Sequence, residues 1–147
     1  MEYTTSVKEI MSSRVITVQL DDKLSAVKNI FDSCKIHHLL VVDDIELLGI
    51  ISDRDLFKAL SPKIGTSTES QKDAATLNKR VHQIMTRHPI VLHEDATIDD
   101  AIGLFNTNII SCIPIVNSAN RPIGIVSWRD ILKYLGAIGR VNLIQGN

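Results

Sequence analysis

The sequence predicts an α/β (α+β) chain built from two β-α-β-β-α repeats, and three observations predict it. The stretch Gly49-Ile50-Ile51-Ser52-Asp53-Arg54-Asp55-Leu56 returns as Gly124-Ile125-Val126-Ser127-Trp128-Arg129-Asp130-Ile131. The likeness is not confined to that stretch. Val81, Ile84 and Met85 answer Val7, Ile10 and Met11, and Ile98, Leu104, Phe105, Ile110 and Val116 answer Leu24, Ile30, Phe31, Ile36 and Val42, all at an offset of 74. After one inserted residue in the turn at 117–120 the offset is 75, and Gly124, Ser127, Arg129, Asp130, Lys133 and Leu135 answer Gly49, Ser52, Arg54, Asp55, Lys58 and Leu60. Self-similarity over this distance marks an internal repeat. Within each copy, short β-branched runs alternate with segments whose apolar residues recur at helical spacing.

In chain order, residues 14–18 carry Val15, Ile16 and Val18 and read as a short strand. Asp21 and Asp22 mark a helix start, and Leu24, Val27, Ile30 and Phe31 form one apolar stripe that ends near Cys34. Leu39-Leu40-Val41-Val42 is a buried strand, Asp43-Asp44 a turn, and residues 47–51 the next strand. A helix follows from Asp53 to about Leu60, where Pro62 stops it. Residues 61–75 are polar and turn-rich around Gly65-Thr66-Ser67-Thr68. Leu77, Val81 and Ile84 then add a modest amphipathic pattern. The organisation expected is a first repeat at 1–60, a linker with room for a short helix at 61–80, a second repeat at 81–135 and a C-terminal tail at 136–147.

Sixteen basic and seventeen acidic residues leave a net charge of −1, which speaks against a general nucleic-acid binder that neutralises many phosphates. The apolar fraction of 44% is enough for a core, and no apolar run approaches the ~20 residues of a membrane span. The start Met1-Glu2-Tyr3-Thr4-Thr5 lacks the basic and apolar regions of a signal peptide. Cys34 and Cys112 are not at equivalent positions, so a built-in disulfide is not expected and a reducing cytoplasm is.

The chemistry sits where each repeat's strand runs through Gly, stops at Ser and turns into a helix. The first N–H groups of a helix lack partners inside it and favour negative charge, so phosphate is a natural ligand there. A carboxylate three residues after Ser could take two sugar hydroxyls. Ser-x-x-Asp is also nearly the capping box that many helices use structurally. Both copies keep Ser, Arg and Asp together, whereas capping alone would accept Thr, Asn or Glu. For catalysis there is no Gly-x-Ser-x-Gly elbow and no Walker loop. Neighbours His37 and His38 point to opposite faces of a strand and cannot chelate one ion together. No catalytic residue and no metal site is expected.

Two copies with Ile-Met at the start, His38-Leu39-Leu40-Val41-Val42-Asp43 or Cys112-Ile113-Pro114-Ile115-Val116-Asn117 in the middle, and Gly-h-h-Ser-x-Arg-Asp at the end (h, apolar) resemble a tandem pair of cystathionine-beta-synthase (CBS) domains. The resemblance covers about residues 7–135. It implies a pseudo-twofold CBS-pair fold, or Bateman module, whose clefts bind an adenosine ligand: AMP, ADP, ATP or S-adenosylmethionine. It also implies a non-catalytic regulator that forms a homodimer and signals occupancy to a partner protein.

Carried over residue by residue, the resemblance implies two sites across the repeats. One combines Ser52, Arg54 and Asp55 with Pro89, Ile90, Ile110, Ser111 and Cys112. The other combines Ser127, Arg129 and Asp130 with Val15, Ile16, Ile36, His37 and His38. Asp55 and Asp130 would take ribose hydroxyls, the serines and arginines would approach phosphate, and the apolar residues would sandwich adenine. Val15 and Leu40 stand where the family usually has Pro, and Trp128 replaces Asp53, removing a carboxylate from one phosphate approach. Because His37 and His38 could add positive charge as pH falls, the second site is expected to prefer ligands with more phosphates. The alternative reading is an interaction module whose clefts stay empty.

Overall fold

The computed structural model describes residues 2–145. Residues 16–89 form one compact unit, and residues before 16 and after 89 form the other, the terminal unit. Sequence repeat and folded unit therefore do not coincide, because the opening segment of each repeat folds with the other repeat's sheet.

The 16–89 unit holds a sheet in the order β1 (Thr17–Gln19), β2 (His38–Asp43), β3 (Glu46–Ser52) and β4 (Thr86–Arg87). β1 and β2 run parallel, which demands a crossover, and helix α1 (Leu24–Ser33) supplies it. β2 and β3 form an antiparallel hairpin whose turn holds Asp44 at φ 56, a conformation Asp tolerates better than most residues. Helix α2 (Asp53–Ala59) follows β3 without a gap and ends as the Leu60 N–H bonds the Leu56 carbonyl, two residues before Pro62. Helix α3 (Gln71–Ala75) lies in the segment after it. Val18, Leu24, Val27, Leu39, Val41, Ile51, Leu56, Val81 and Met85 make this unit's core. The strand expected at 14–18 begins at Thr17, because the chain crosses from the terminal unit into this one between Val15 and Ile16.

Asp21 and Asp22 do not cap α1. Its N-cap is Lys23, without a side-chain bond, and the Leu24 N–H instead donates to the Lys79 carbonyl at 2.9 Å while the Val81 N–H donates to the Asp22 carbonyl at 2.9 Å. The end of the inter-repeat segment is thus held on the start of α1.

The terminal unit repeats the plan with β5 (Leu92–His93), β6 (Cys112–Val116) and β7 (Pro122–Ser127), in that order across the sheet. Helix α4 (Ile98–Thr107) crosses between the parallel pair β5 and β6. Where β4 lies beside β3, this sheet has the antiparallel bridge Ser12↔Ile125, bonded both ways at 2.9 and 3.0 Å. The core is Val7, Ile98, Ala101, Ile113, Ile115, Val126 and Ile131. Tyr3 and Thr5 accept from the first N–H groups of α4 through their carbonyls, and the Thr5 and Tyr134 hydroxyls bond at 3.0 Å. Helix α5 (Trp128–Gln145) continues well past residue 136, so most of the segment read as a tail is helical; residues 146–147 lie outside the described chain.

The repeated Gly and the repeated Ile-Met belong to one packing device. A Cβ built on Gly49 would come within 2.7 Å of Met85 Sδ and 2.9 Å of the Thr86 carbonyl oxygen. One built on Gly124 would collide with Met11 Sδ and reach 3.1 Å from the Ser12 carbonyl oxygen. Each glycine makes room for the opening segment that docks on its strand.

Candidate ligand-binding site

Both Ser-x-x-Asp motifs fold as complete capping boxes. At the β3–α2 junction the Ser52 N–H donates to Asp55 Oδ2 at 2.9 Å and the Asp55 N–H donates back to Ser52 Oγ at 3.1 Å. At the β7–α5 junction the Ser127 N–H and hydroxyl donate to Asp130 Oδ2 at 2.8 and 3.0 Å, and the Asp130 N–H donates to Ser127 Oγ at 3.2 Å. The same reciprocal bonds close Ser70 with Asp73 and Thr97 with Asp100 at two other helices. The box alone therefore does not distinguish a ligand site from an ordinary helix start. Capping uses one carboxylate oxygen, and an ionised carboxylate has a second with its own lone pairs.

In the 16–89 unit the start of β2 lies against the α2 junction. His38 pairs in register with Ser52, and the Asp53 N–H donates to the His37 carbonyl at 3.0 Å. His37 Nδ1 and Asp53 Oδ2 are also 2.8 Å apart. The hydrogen bond with His37 holds the Asp53 carboxyl below its usual range. Burial pushes the His38 imidazole down, against the attraction of Asp53 and Asp55. Ile16 and Ile36 are half-buried against this unit's core, the Ile16 carbonyl accepting from the Leu40 N–H at 3.2 Å. Pro89 is half-buried at the unit's end, and Arg54 is exposed.

The terminal unit builds the same junction from different side chains. Cys112 pairs with Ser127, and the Trp128 N–H donates to the Ser111 carbonyl at 3.2 Å. Ser111 and Arg129 are exposed, as is Trp128 at 48%. Cys112 is buried, and burial pushes its thiol up to about 12. Ile110 is half-buried against the core, and Val15 and Ile90 are half-buried.

Each unit thus brings a Ser-x-x-Asp together with the start of its own middle strand. The two combinations expected from the sequence each draw residues from both units. The contact that sequence reasoning missed is His37 with Asp53. Its signal was the register, since a helix that begins directly at the end of β3 puts its first residue beside the residue preceding β2.

Among the described residues no group of three or more His, Cys, Asp or Glu is placed to hold a metal ion. No helix among them is long and apolar enough to cross a membrane.

The CBS domain family model matches residues 7–62 and 81–137. The chain is 35% identical over 126 residues to inosine-5'-monophosphate dehydrogenase of Methanocaldococcus jannaschii, a match covering 85% of this chain and 22% of the enzyme. It spans, therefore, under a quarter of that relative's length. A CBS domain-containing protein of Dictyostelium discoideum is 33% identical over 131 residues, covering 88% of this chain and 90% of the relative. Among solved structures, the CBS domain pair of protein MJ0100 in complex with 5'-methylthioadenosine and S-adenosyl-L-methionine is 32% identical, with a TM-score of 0.72 over 91% of this chain and 98% of that one.

Proposed function

The chain belongs to the CBS domain family and carries a tandem pair of its domains, and from that premise we propose that it is a regulatory module that binds an adenosine ligand and signals occupancy to a partner protein. The observation that carries this reading is the likeness to the MJ0100 pair, a chain of matching extent whose complex holds two adenosine compounds. S-adenosylmethionine and 5'-methylthioadenosine are accordingly the first ligands to try, with AMP, ADP and ATP beside them.

The residues proposed to hold the ligand are those expected from the sequence, around the two Ser-x-x-Asp junctions. In each, an aspartate (Asp55 or Asp130) that caps its helix through Oδ2 offers its other oxygen to ribose hydroxyls, and an exposed arginine (Arg54 or Arg129) approaches any phosphate. Ile16, Ile36, Ile90 and Ile110 provide half-buried apolar surface of the kind that accepts a purine ring. The module is proposed as non-catalytic and cytoplasmic, with its two cysteines free. It is proposed as a homodimer on the support of Phe57 and Leu132, which are 72% and 56% exposed at equivalent positions of α2 and α5.

A thermal-shift panel tests binding. A ligand selective for the folded state stabilises it by ~2.7 kcal/mol at a hundred times its dissociation constant, several degrees for a domain of this size. No shift with any adenosine compound favours an interaction module with empty clefts.

A further inference from the structure

The two repeats share a backbone scaffold at the strand–helix junction and differ in what they mount on it. In both, the first N–H of the helix donates to the carbonyl just before the middle strand: Asp53 to His37 at 3.0 Å and Trp128 to Ser111 at 3.2 Å. That bond is structural, since it recurs with unrelated side chains. Arg54 and Asp55 recur as Arg129 and Asp130, so they do not separate the repeats either. What is peculiar to one repeat is the side-chain pair, His37 Nδ1 at 2.8 Å from Asp53 Oδ2, where the other has Ser111 and Trp128.

The pair has a definite chemistry. An ionised carboxylate only accepts, so Nδ1 must carry the proton, and in a neutral imidazole the other nitrogen, Nε2, is then an acceptor. The His37 side chain is 80% exposed, so its ring is open to a ligand. With a neutral imidazole and an ionised carboxylate, the pair carries one negative charge. The hydrogen bond with His37 holds the Asp53 carboxyl below its usual range, so that carboxylate is ionised.

We infer that the His37–Asp53 pair is a specificity element that turns the site containing His37 away from phosphate and toward adenosine ligands that are uncharged or cationic at the 5' position. Asp53 is a positioning residue: it fixes the imidazole so that Nε2 accepts from a ligand O–H or N–H, and its charge repels a phosphate and attracts a sulfonium. This rests on the adenosine-binding reading and reverses the expectation that His37 recruits phosphate.

The test is calorimetry at pH 8, above the ordinary histidine range, with 5'-methylthioadenosine, S-adenosylmethionine, AMP and ATP on the wild type and on Asp53→Asn and His37→Gln. 15N NMR of His37 reads the tautomer without any ligand. The expected result is an Nδ1-protonated neutral ring and, at one of the sites, tighter binding of the two sulfur compounds than of ATP. Asp53→Asn should move that preference toward ATP by about fivefold, the scale of one unit charge in water at contact distance. An Nε2-protonated ring in the wild type overturns the inference, as does ATP bound best at every site with no response to Asp53→Asn. Absence of binding by all four compounds overturns the adenosine reading and this inference with it; either of the former results leaves that reading standing.

Discussion

The Asp130 carboxylate accepts both the N–H and the hydroxyl of Ser127, at 2.8 and 3.0 Å, while the Asp130 N–H donates back to the same hydroxyl at 3.2 Å. This residue therefore has a structural task whatever it binds. Asp130→Ala should cost about 0.5 to 2 kcal/mol of stability, the usual worth of a lost cap, and leave the fold intact. Ligand affinity at its site should fall by about 1.5 to 3 kcal/mol, as for hydrogen bonds to a charged group. Denaturant unfolding and calorimetry on one preparation separate the two effects. Loss of stability with unchanged affinity would reduce Asp130 to a cap.

Glycine positions divide by what surrounds them. Gly49→Ala and Gly124→Ala must push Met85 or Met11 out of place and should each cost about 1 to 3 kcal/mol, as overpacking does. Gly103→Ala and Gly136→Ala place a methyl in open space within α4 and α5 and should stabilise by up to about 1 kcal/mol. Chemical denaturation of the four variants checks the order; a neutral Gly124→Ala would contradict the docking of Met11 on β7.

Acid should destabilise the protein through His38 before it does so through Asp53. Burial lowers the His38 pKa, so below its ordinary value near 6.5 the unfolded chain takes up more protons than the folded one, and stability falls as pH drops. The Asp53 carboxyl is also held low, and its contribution is present above the unfolded carboxyl value of 3.8 and is lost only as pH falls through the lower folded one. Of these two groups, His38 is the one whose contribution changes between pH 7.5 and 5.5. Denaturation midpoints should fall over that interval in the wild type and less in His38→Gln; equal falls would assign the effect elsewhere.

The repeat, the order of strands and helices, and the Ser-x-x-Asp junctions were legible because they rest on local pattern: β-branched runs, helical spacing and caps. The exchange of opening segments between units was not. Its strand Thr86–Arg87 and its bridge at Ser12 are too short to show any period, and what holds them is room beside Gly49 and Gly124. Helix α1 shows the same limit, since Asp22 looks like its cap while the carbonyl that caps it comes from Lys79, far along the chain. Helix α5 passed as a tail because Gly136 and Gly139 weaken the helical signal there. At the β3–α2 junction the capping box was readable but not the pairing of His37 with Asp53, which register brings about.

Calorimetric titration with 5'-methylthioadenosine, run on the wild type and on the double variant Asp55→Ala/Asp130→Ala, tests the adenosine-binding reading most directly. The account predicts a saturable heat in the wild type and its loss in the double variant, with circular dichroism showing both folded. No heat in the wild type, or the same isotherm in both proteins, would contradict it.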